Sequence, residues 1–310
     1  MDFSEINIPI LIASLIVTAT PLILAALGEL VAEKSGVLNL GVEGMMIIGA
    51  VSGFIIGVET GSALLGIIGS AVGGALLSFL FAFIVLVMKA NQVASGLALT
   101  IFGLGIAALL GHPYTGIAPP QFQSFSLPIL EDIPLLGVMF FQHDFVVYFS
   151  IIASVATWYF LKYSRRGLVL RSIGENHDVA HSLGYKVIAT RFASILFGGA
   201  LAGLGGGYLS LVRVPQWTEG MTAGAGWIAL ALVVFSGWHP FRLILGAYIF
   251  GGITILQLNL QAIGVNINIA ILSMAPYLAT ILALVIISMS RIQGNKGAPG
   301  SLGVSFVKVT

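Results

Sequence analysis

The sequence predicts an all-α, polytopic membrane protein of about nine transmembrane helices, and three observations carry that prediction. Of its 310 residues, 58% are hydrophobic and 8% charged, with a mean hydropathy of +1.05. A soluble domain carries roughly 25% charged residues to solvate its surface. Nine apolar runs are long enough to cross a hydrocarbon core of ~30 Å as helices. When those runs are threaded in alternation, the basic residues sort almost entirely to one face.

The runs fall at 8–28, 38–57, 63–88, 93–111, 144–162, 190–211, 221–238, 241–262 and 269–289. Asp2 and Glu5, and no Lys or Arg, precede the first run, so it reads as a retained helix and not as a signal peptide. In the seventh run the strongly apolar part, Trp227 to Phe235, is short, and a re-entrant segment competes with a full crossing there. With the N-terminus outside and nine crossings, Lys34, Lys89, Lys162, Arg165, Arg166, Arg171, Lys186, Arg191, Arg242, Arg291, Lys296 and Lys308 lie in the cytoplasm. That is twelve of the 13 Lys and Arg residues, leaving Arg213 outside. The opposite orientation reverses this asymmetry, and a re-entrant seventh run moves Arg291, Lys296 and Lys308 outside. The reading is therefore nine crossings, N-out and C-in, in a single transmembrane domain over 1–310.

Composition also excludes functions. A net charge of +1 gives no electrostatic basis for binding nucleic acid. The chain has no cysteine, so it has no disulfide, thiolate metal site or cysteine nucleophile. No G-x-x-x-x-G-K-[ST] loop occurs, so the chain has no such site for ATP of its own. Paired carboxylates, a nucleophile elbow and a metalloprotease motif are likewise missing, which argues against an enzyme.

Between the runs lie an outer loop, about 112–143, and an inner loop, about 163–190. The outer loop carries Pro113, Pro119, Pro120, Pro128 and Pro134 and reads as an ordered or extended cap, not another helix. Within the helices, Gly69 with Gly73, Ser70 with Gly74, Gly199 with Gly203 and Gly203 with Gly207 are spaced four apart. That spacing lets backbones approach closely in lipid, and it speaks for packing more than for a solute site.

Residues 28–46 combine charge with apolar sequence: Glu29, Glu33, Lys34, Asn39 and Glu43 lie beside or within hydrophobic runs. Ionisable groups there face water, protein or a pathway. Glu29 and Glu33 are one helical turn apart, with Lys34 able to offset part of their charge. Gly36, Gly41 and Gly44 are expected to interrupt the helix, as in the broken helices of transporters. An ordinary solvated turn accounts equally well for Glu29, Glu33 and Lys34. Glu43 fits that alternative poorly, because the apolar run continues on both sides of it.

The string Gly28-Glu29 through Glu33-Lys34-Ser35-Gly36-Val37-Leu38-Asn39-Leu40-Gly41-Val42-Glu43-Gly44-Met45-Met46 resembles the signature of bacterial ABC permeases of the branched-chain amino acid, ribose and nucleoside importer group, and most closely its simple-sugar and nucleoside branch. The resemblance runs from Gly28 to the last helix. It implies a permease subunit in the bacterial cytoplasmic (inner) membrane that binds no cofactor itself, with ATP and Mg on a separate ATPase. It further implies a solute-binding protein on the outer face and a second permease, related but not identical, sharing the pathway.

In the inner loop, Asn176 is suited to cap a short helix, with Asp178 in its first turn favouring the dipole. Val179, Ala180 and Leu183 form a small apolar face, and Gly184 can end the helix in a left-handed conformation. Two turns are too few to persist alone in water, so this helix needs a partner surface. Docking into another protein and resting on its own membrane domain both satisfy that need. Gly174-Glu175-Asn176 followed by Ala180 and Gly184 is similar to the coupling loop of the same permease group, which implies an ATPase contact through Arg171, Gly174, Glu175, Asn176, Ala180 and Gly184. The chain departs from that pattern at His177, where proline is commoner, and at Tyr185, where an aliphatic residue is usual. His177 and His181, with Asp178 or Glu175, lack a further well-placed ligand for a metal site.

For cargo, a nucleoside comes first and a simple sugar second. A nucleoside needs an aromatic face and a few hydrogen-bonding groups in an apolar path. Phe102, Gln216, Trp217 and Trp227 could supply them, beside the motif residues Glu29, Glu33, Asn39, Gly41, Glu43 and Gly44. Arg213, the outside cation, is a candidate contact for the binding protein, with a snorkelling role as the alternative. An ion-coupled secondary transporter is the competing class. It needs ionisable groups deep in the membrane, and Glu43 is the one such group.

Overall fold

The computed structural model describes residues 8–122, 124–126, 133–262, 274–279, 281–282, 285 and 297–307. Its first helix, α1 (Ile8–Lys34), becomes the axis of the bundle, buried from Thr18 to Glu33. Around it stand α2 (Val42–Thr60), α3 (Ala63–Ala82), α4 (Gln92–Gly111), α5 (Phe145–Tyr163), α8 (Val187–Tyr208) and α10 (Pro240–Ala262). One π-turn extends α3 to Val87 and another extends α8 to Arg213. Among the described residues, seven helices are long and apolar enough to cross a membrane. They coincide with seven of the nine predicted runs. The ninth, 269–289, lies largely outside the described residues.

The seventh run is corrected. In place of a helix over 221–238 there is α9 (Ala225–Phe235), whose 11 residues rise only ~16 Å. Left-handed residues bound it on both sides: Gly220, Ala223 and Gly224 before it, Gly237 and Trp238 after it. The segment nevertheless runs the length of the bundle. Trp217 is buried against Gly111, at the end of α4, while the Trp238 indole donates to Glu33 near the opposite end of α1. This is a half-helix preceded by irregular chain.

Glycines set the spacing of the bundle. In lipid no hydrophobic force drives helices together, so close van der Waals contact must do it. A Cβ on Gly28 would stand 2.6 Å from the Gly198 carbonyl oxygen, and one on Gly205 would stand 2.6 Å from that of Pro21. Adjoining faces of α8 meet α3, where Gly199 and Gly203 lie against Ser70, Gly74 and Ser78, and α2, where Gly203 faces Gly49 and Gly206 faces Met46. The four-residue spacings in α3 and α8 are thus packing sites. Gly44 is one as well: it does not interrupt α2 but brings α4 close, its missing Cβ pointing at Leu99 and Thr100.

At the end bearing Arg213, the outer loop contains a 3-10 turn (His112–Tyr114) and a two-stranded antiparallel ribbon, β1 (Ser124–Ser126) with β2 (Gln142–Asp144), in the register Phe125 to His143. Asp144 then caps α5, accepting from Val146 N and Val147 N, and takes a third bond of 2.7 Å from the Tyr208 hydroxyl. At the other end, which we term the basic end, α6 (Arg165–Glu175) and α7 (His177–Ser182) fill the inner loop.

Gly206→Ala is expected to destabilise the protein by about 3 kcal/mol, because the new methyl overlaps the backbone of α2. Gly105, with open space around its Cβ position, should accept alanine with no loss. Thermal unfolding of both variants in detergent measures the contrast.

Candidate functional site

Two polar centres stand out in this apolar bundle. The first is Glu43, 3% exposed, in the first turn of α2. One carboxylate oxygen accepts from the Thr222 hydroxyl at 2.6 Å and from Gly224 N at 2.9 Å, and the other accepts from Gly226 N at 2.6 Å. These donors are the free amides and leading turn of α9. A helix start inside lipid leaves amides without partners and carries a partial positive charge. A carboxylate satisfies both demands. Gly226 is required for the approach, since its Cβ would strike the Glu43 backbone. Glu43 therefore caps a half-helix.

Next to it, the turn between α1 and α2 is held by buried side chains. Glu29 accepts from Asn39 N, Asn39 accepts from Gly41 N, and Gln92 accepts from Leu38 N. Glu29 and Glu33 are fully buried, so the solvated-turn alternative does not describe them. One oxygen of each, with the Gln92 amide nitrogen, has no hydrogen-bond partner among the described residues.

The second centre is Arg191, 0% exposed, at the start of α8. Its guanidinium donates through Nε to Ser35 O and through a terminal nitrogen to Val304 O, both at 3.0 Å, and through the other to His177 Nδ1 at 3.2 Å. One side chain thus joins the α1–α2 turn, the C-terminal segment and the first residue of α7. Residues 297–307 form a strap across this end. Lys34 Nζ donates to Gly297 O, Ser301 N to Gly174 O, Gly303 N to Gly36 O and His177 N to the Ser301 hydroxyl. Phe306 completes it, its ring 5.4 Å from that of His177 and 5.2 Å from that of His181. The strap escapes a reading of periodicity because it is neither helix nor strand, though Arg191 inside an apolar run marks its anchor.

The inner-loop prediction holds in its local chemistry. Asn176 caps α7, accepting from Asp178 N and Val179 N, and Gly184 is left-handed at φ +88. Its surroundings differ from those expected. Ala180 is buried with Ile173, Val187 and Phe306, and Gly174 is packed on the Lys34 carbonyl, so neither faces outward. Val179 and Leu183 do, at 54% and 71% exposure. Arg171 is half-buried, while Glu175 is exposed but turned to the strap through Gly300 N. The rings of both histidines pack edge-on against Phe306. His177, the departure from the resembled pattern, supplies the acceptor that Arg191 requires.

Other candidates scatter. Trp217 is a buried packing group, whereas Phe102, Gln216 and Trp227 are exposed on the single chain. Arg213 is half-buried near Tyr208 and makes no hydrogen bond or ion pair among the described residues.

Residues 11–290 match the family described as the permease component of the branched-chain amino acid transport system. The chain belongs to that family. It is a transport component in the membrane and not an enzyme. Among its relatives are a putative glucose ABC transporter permease protein of Haloferax volcanii, 38% identical over 86% of this chain and 88% of the relative. A guanosine ABC transporter permease protein of Bacillus subtilis is 34% identical over 99% of each chain. A nucleoside ABC transporter permease protein of Lactococcus lactis is 32% identical over 97% and 98%. No solved structure matches significantly.

Two outcomes test these centres in the permease. Glu43→Ala strands three buried donors at roughly 1–3 kcal/mol each, so it should lower the unfolding temperature sharply, and Glu43→Gln should do so less. For the strap, burial and then the Arg191 charge hold the His177 imidazole below its ordinary 6.5, with Asp178 opposing. The native site thus favours the neutral ring. Its contribution is complete above pH 6.5 and is lost as pH falls through 6.5 toward the lower native value. Hydrogen-exchange protection factors of 300–306, which correct for the intrinsic pH dependence of exchange, should decrease over that fall, and His177→Asn should flatten the dependence.

Proposed function

We propose that this permease forms half of the pathway for a nucleoside in an ATP-driven importer, with its N-terminus outside, its basic end in the cytoplasm and a second permease beside it. The observation that carries the reading is α7: a helix too short to stand alone, fixed to the bundle on one side and presenting Val179 and Leu183 on the other. A docked ATPase covers that apolar pair, and Arg191 passes its displacement to the α1–α2 turn. Beyond that turn, Glu43 links α2 to the half-helix α9, so movement at the cytoplasmic face reaches the membrane interior through hydrogen bonds rather than through side-chain packing alone.

The placement of the basic residues supports the orientation and, with it, a cytoplasmic membrane as the location. The guanosine and nucleoside relatives support nucleoside as the cargo. A simple sugar is the second reading, favoured by the glucose relative. An ion-coupled mechanism finds less support, because Glu43 is fully occupied by its three donors. On the outer face, a solute-binding protein delivers the cargo, with Arg213 as a contact for one of its carboxylates.

In proteoliposomes containing both permeases, the ATPase and the binding protein, guanosine uptake should require ATP and exceed glucose uptake. Leu183→Asp should weaken ATPase binding roughly tenfold or more and reduce uptake in step, since burying a leucine contributes about 1.5–3 kcal/mol. Full uptake with that variant, or uptake without ATP, would remove the reading.

A further inference from the structure

Transport as described makes no use of an open groove of about 1130 Å³ bounded by α1, α5, α6 and α8. Phe149, Ile152, Phe160, Phe197 and Leu201 supply much of its wall, and Ile152 and Phe197 are 65% and 44% exposed toward it. Two of its three hydroxyls already have partners within their own helix, Thr190 donating to Lys186 O and Ser194 to Thr190 O, which leaves Thr157 as the one further hydroxyl on the wall. The wall therefore offers little to a nucleoside or sugar, both of which need polar partners. No acidic residue lines it.

The mouth is different. Arg165 and Arg166 in the first turn of α6, and Lys186 just before α8, stand around the basic end of the groove. All three are exposed, and none makes a side-chain hydrogen bond or ion pair among the described residues. Two arginines at a helix start also oppose the helix dipole, so they do not serve the stability of α6. The depth is marked by Trp158, Tyr159 and Tyr163 on the last turns of α5, with Lys162 Nζ 5.2 Å and 5.1 Å from the Trp158 and Tyr163 rings. Such residues collect at the headgroup level. From that mouth the groove follows α5 back to Phe149 and α8 on to Leu201, ~20 Å at 1.5 Å per residue. One leaflet of hydrocarbon is ~15 Å deep.

We propose that this groove binds one anionic phospholipid of the same leaflet, its acyl chains along α5 and α8 and its phosphate held by Arg165, Arg166 and Lys186. Apolar length, cationic mouth and depth fit together only for a molecule with a long apolar body and an anionic head. The bound lipid bridges the α5–α6 corner to the start of α8, the two ends of the inner loop. The site is independent of the cargo and of ATPase docking.

Native mass spectrometry of the assembled transporter, titrated with phosphatidylglycerol and with phosphatidylcholine of the same chains, tests it. Phosphatidylglycerol should be retained preferentially. Arg165→Gln, Arg166→Gln and Lys186→Gln together should weaken that retention roughly a hundredfold, about fivefold per charge, and leave phosphatidylcholine unchanged. Ala193→Trp, which fills the trough and keeps the charges, should abolish it too, and its unfolding temperature in detergent establishes that the bundle is intact. Equal retention of the two lipids overturns the proposal, as does indifference to the triple substitution. Displacement of phosphatidylglycerol by inorganic phosphate alone would make the mouth a simple anion site. Crosslinks from the second permease into the groove would make it a subunit contact. Either result overturns the proposal.

Discussion

Backbone contact along the glycine-bearing half of α8 is the constraint from which the rest of this structure follows. Gly198, Gly199, Gly203, Gly205 and Gly206 let α1, α2 and α3 lie directly on the α8 main chain. Because lipid solvates apolar side chains as well as protein does, such contact is what holds membrane helices together. With α1 gripped in this way it becomes the buried axis, and the charged residues near its end, Glu29 and Glu33, are carried inside the protein. A bundle spaced by leucines would leave them near lipid, where a carboxylate is costly.

Once polar groups are enclosed, each requires a partner, and the partners define the architecture at the basic end. Glu43 permits a helix to begin in the membrane interior by supplying the acceptors its first amides lack. Arg191 does the converse, offering donors to two carbonyls, those of Ser35 and Val304, and to the His177 imidazole. Both are multidentate. Loss of either side chain exposes several unsatisfied groups at once, which makes these positions far less tolerant than the apolar residues around them.

The same arrangement gives the inner loop its mechanical character. α7 has six residues and no intrinsic stability, yet Asn176 caps it, Ala180 seats it and the strap with Phe306 backs it. Its inward side is tied through His177 and Arg191 to the α1–α2 turn. The helix has an inward anchoring face and an outward exposed one, and six residues suffice because the support comes from elsewhere in the chain.

The apolar runs, the grouping of basic residues, the glycine spacings and the capping of α7 were legible in the sequence, since each depends on residues close together along the chain. Seven spans follow from length and hydropathy alone, and Asn176 and Gly184 act through their own backbone neighbours. What tertiary structure alone decided is pairing across distance. That Glu43 reaches Thr222, that Arg191 gathers Ser35, Val304 and His177, that Ala180 faces in while Leu183 faces out, and that the seventh run is half irregular could not be read locally. The reason is physical: in a medium without water, a polar group must find its partner within the protein, and folding, not sequence spacing, determines which partner comes within reach.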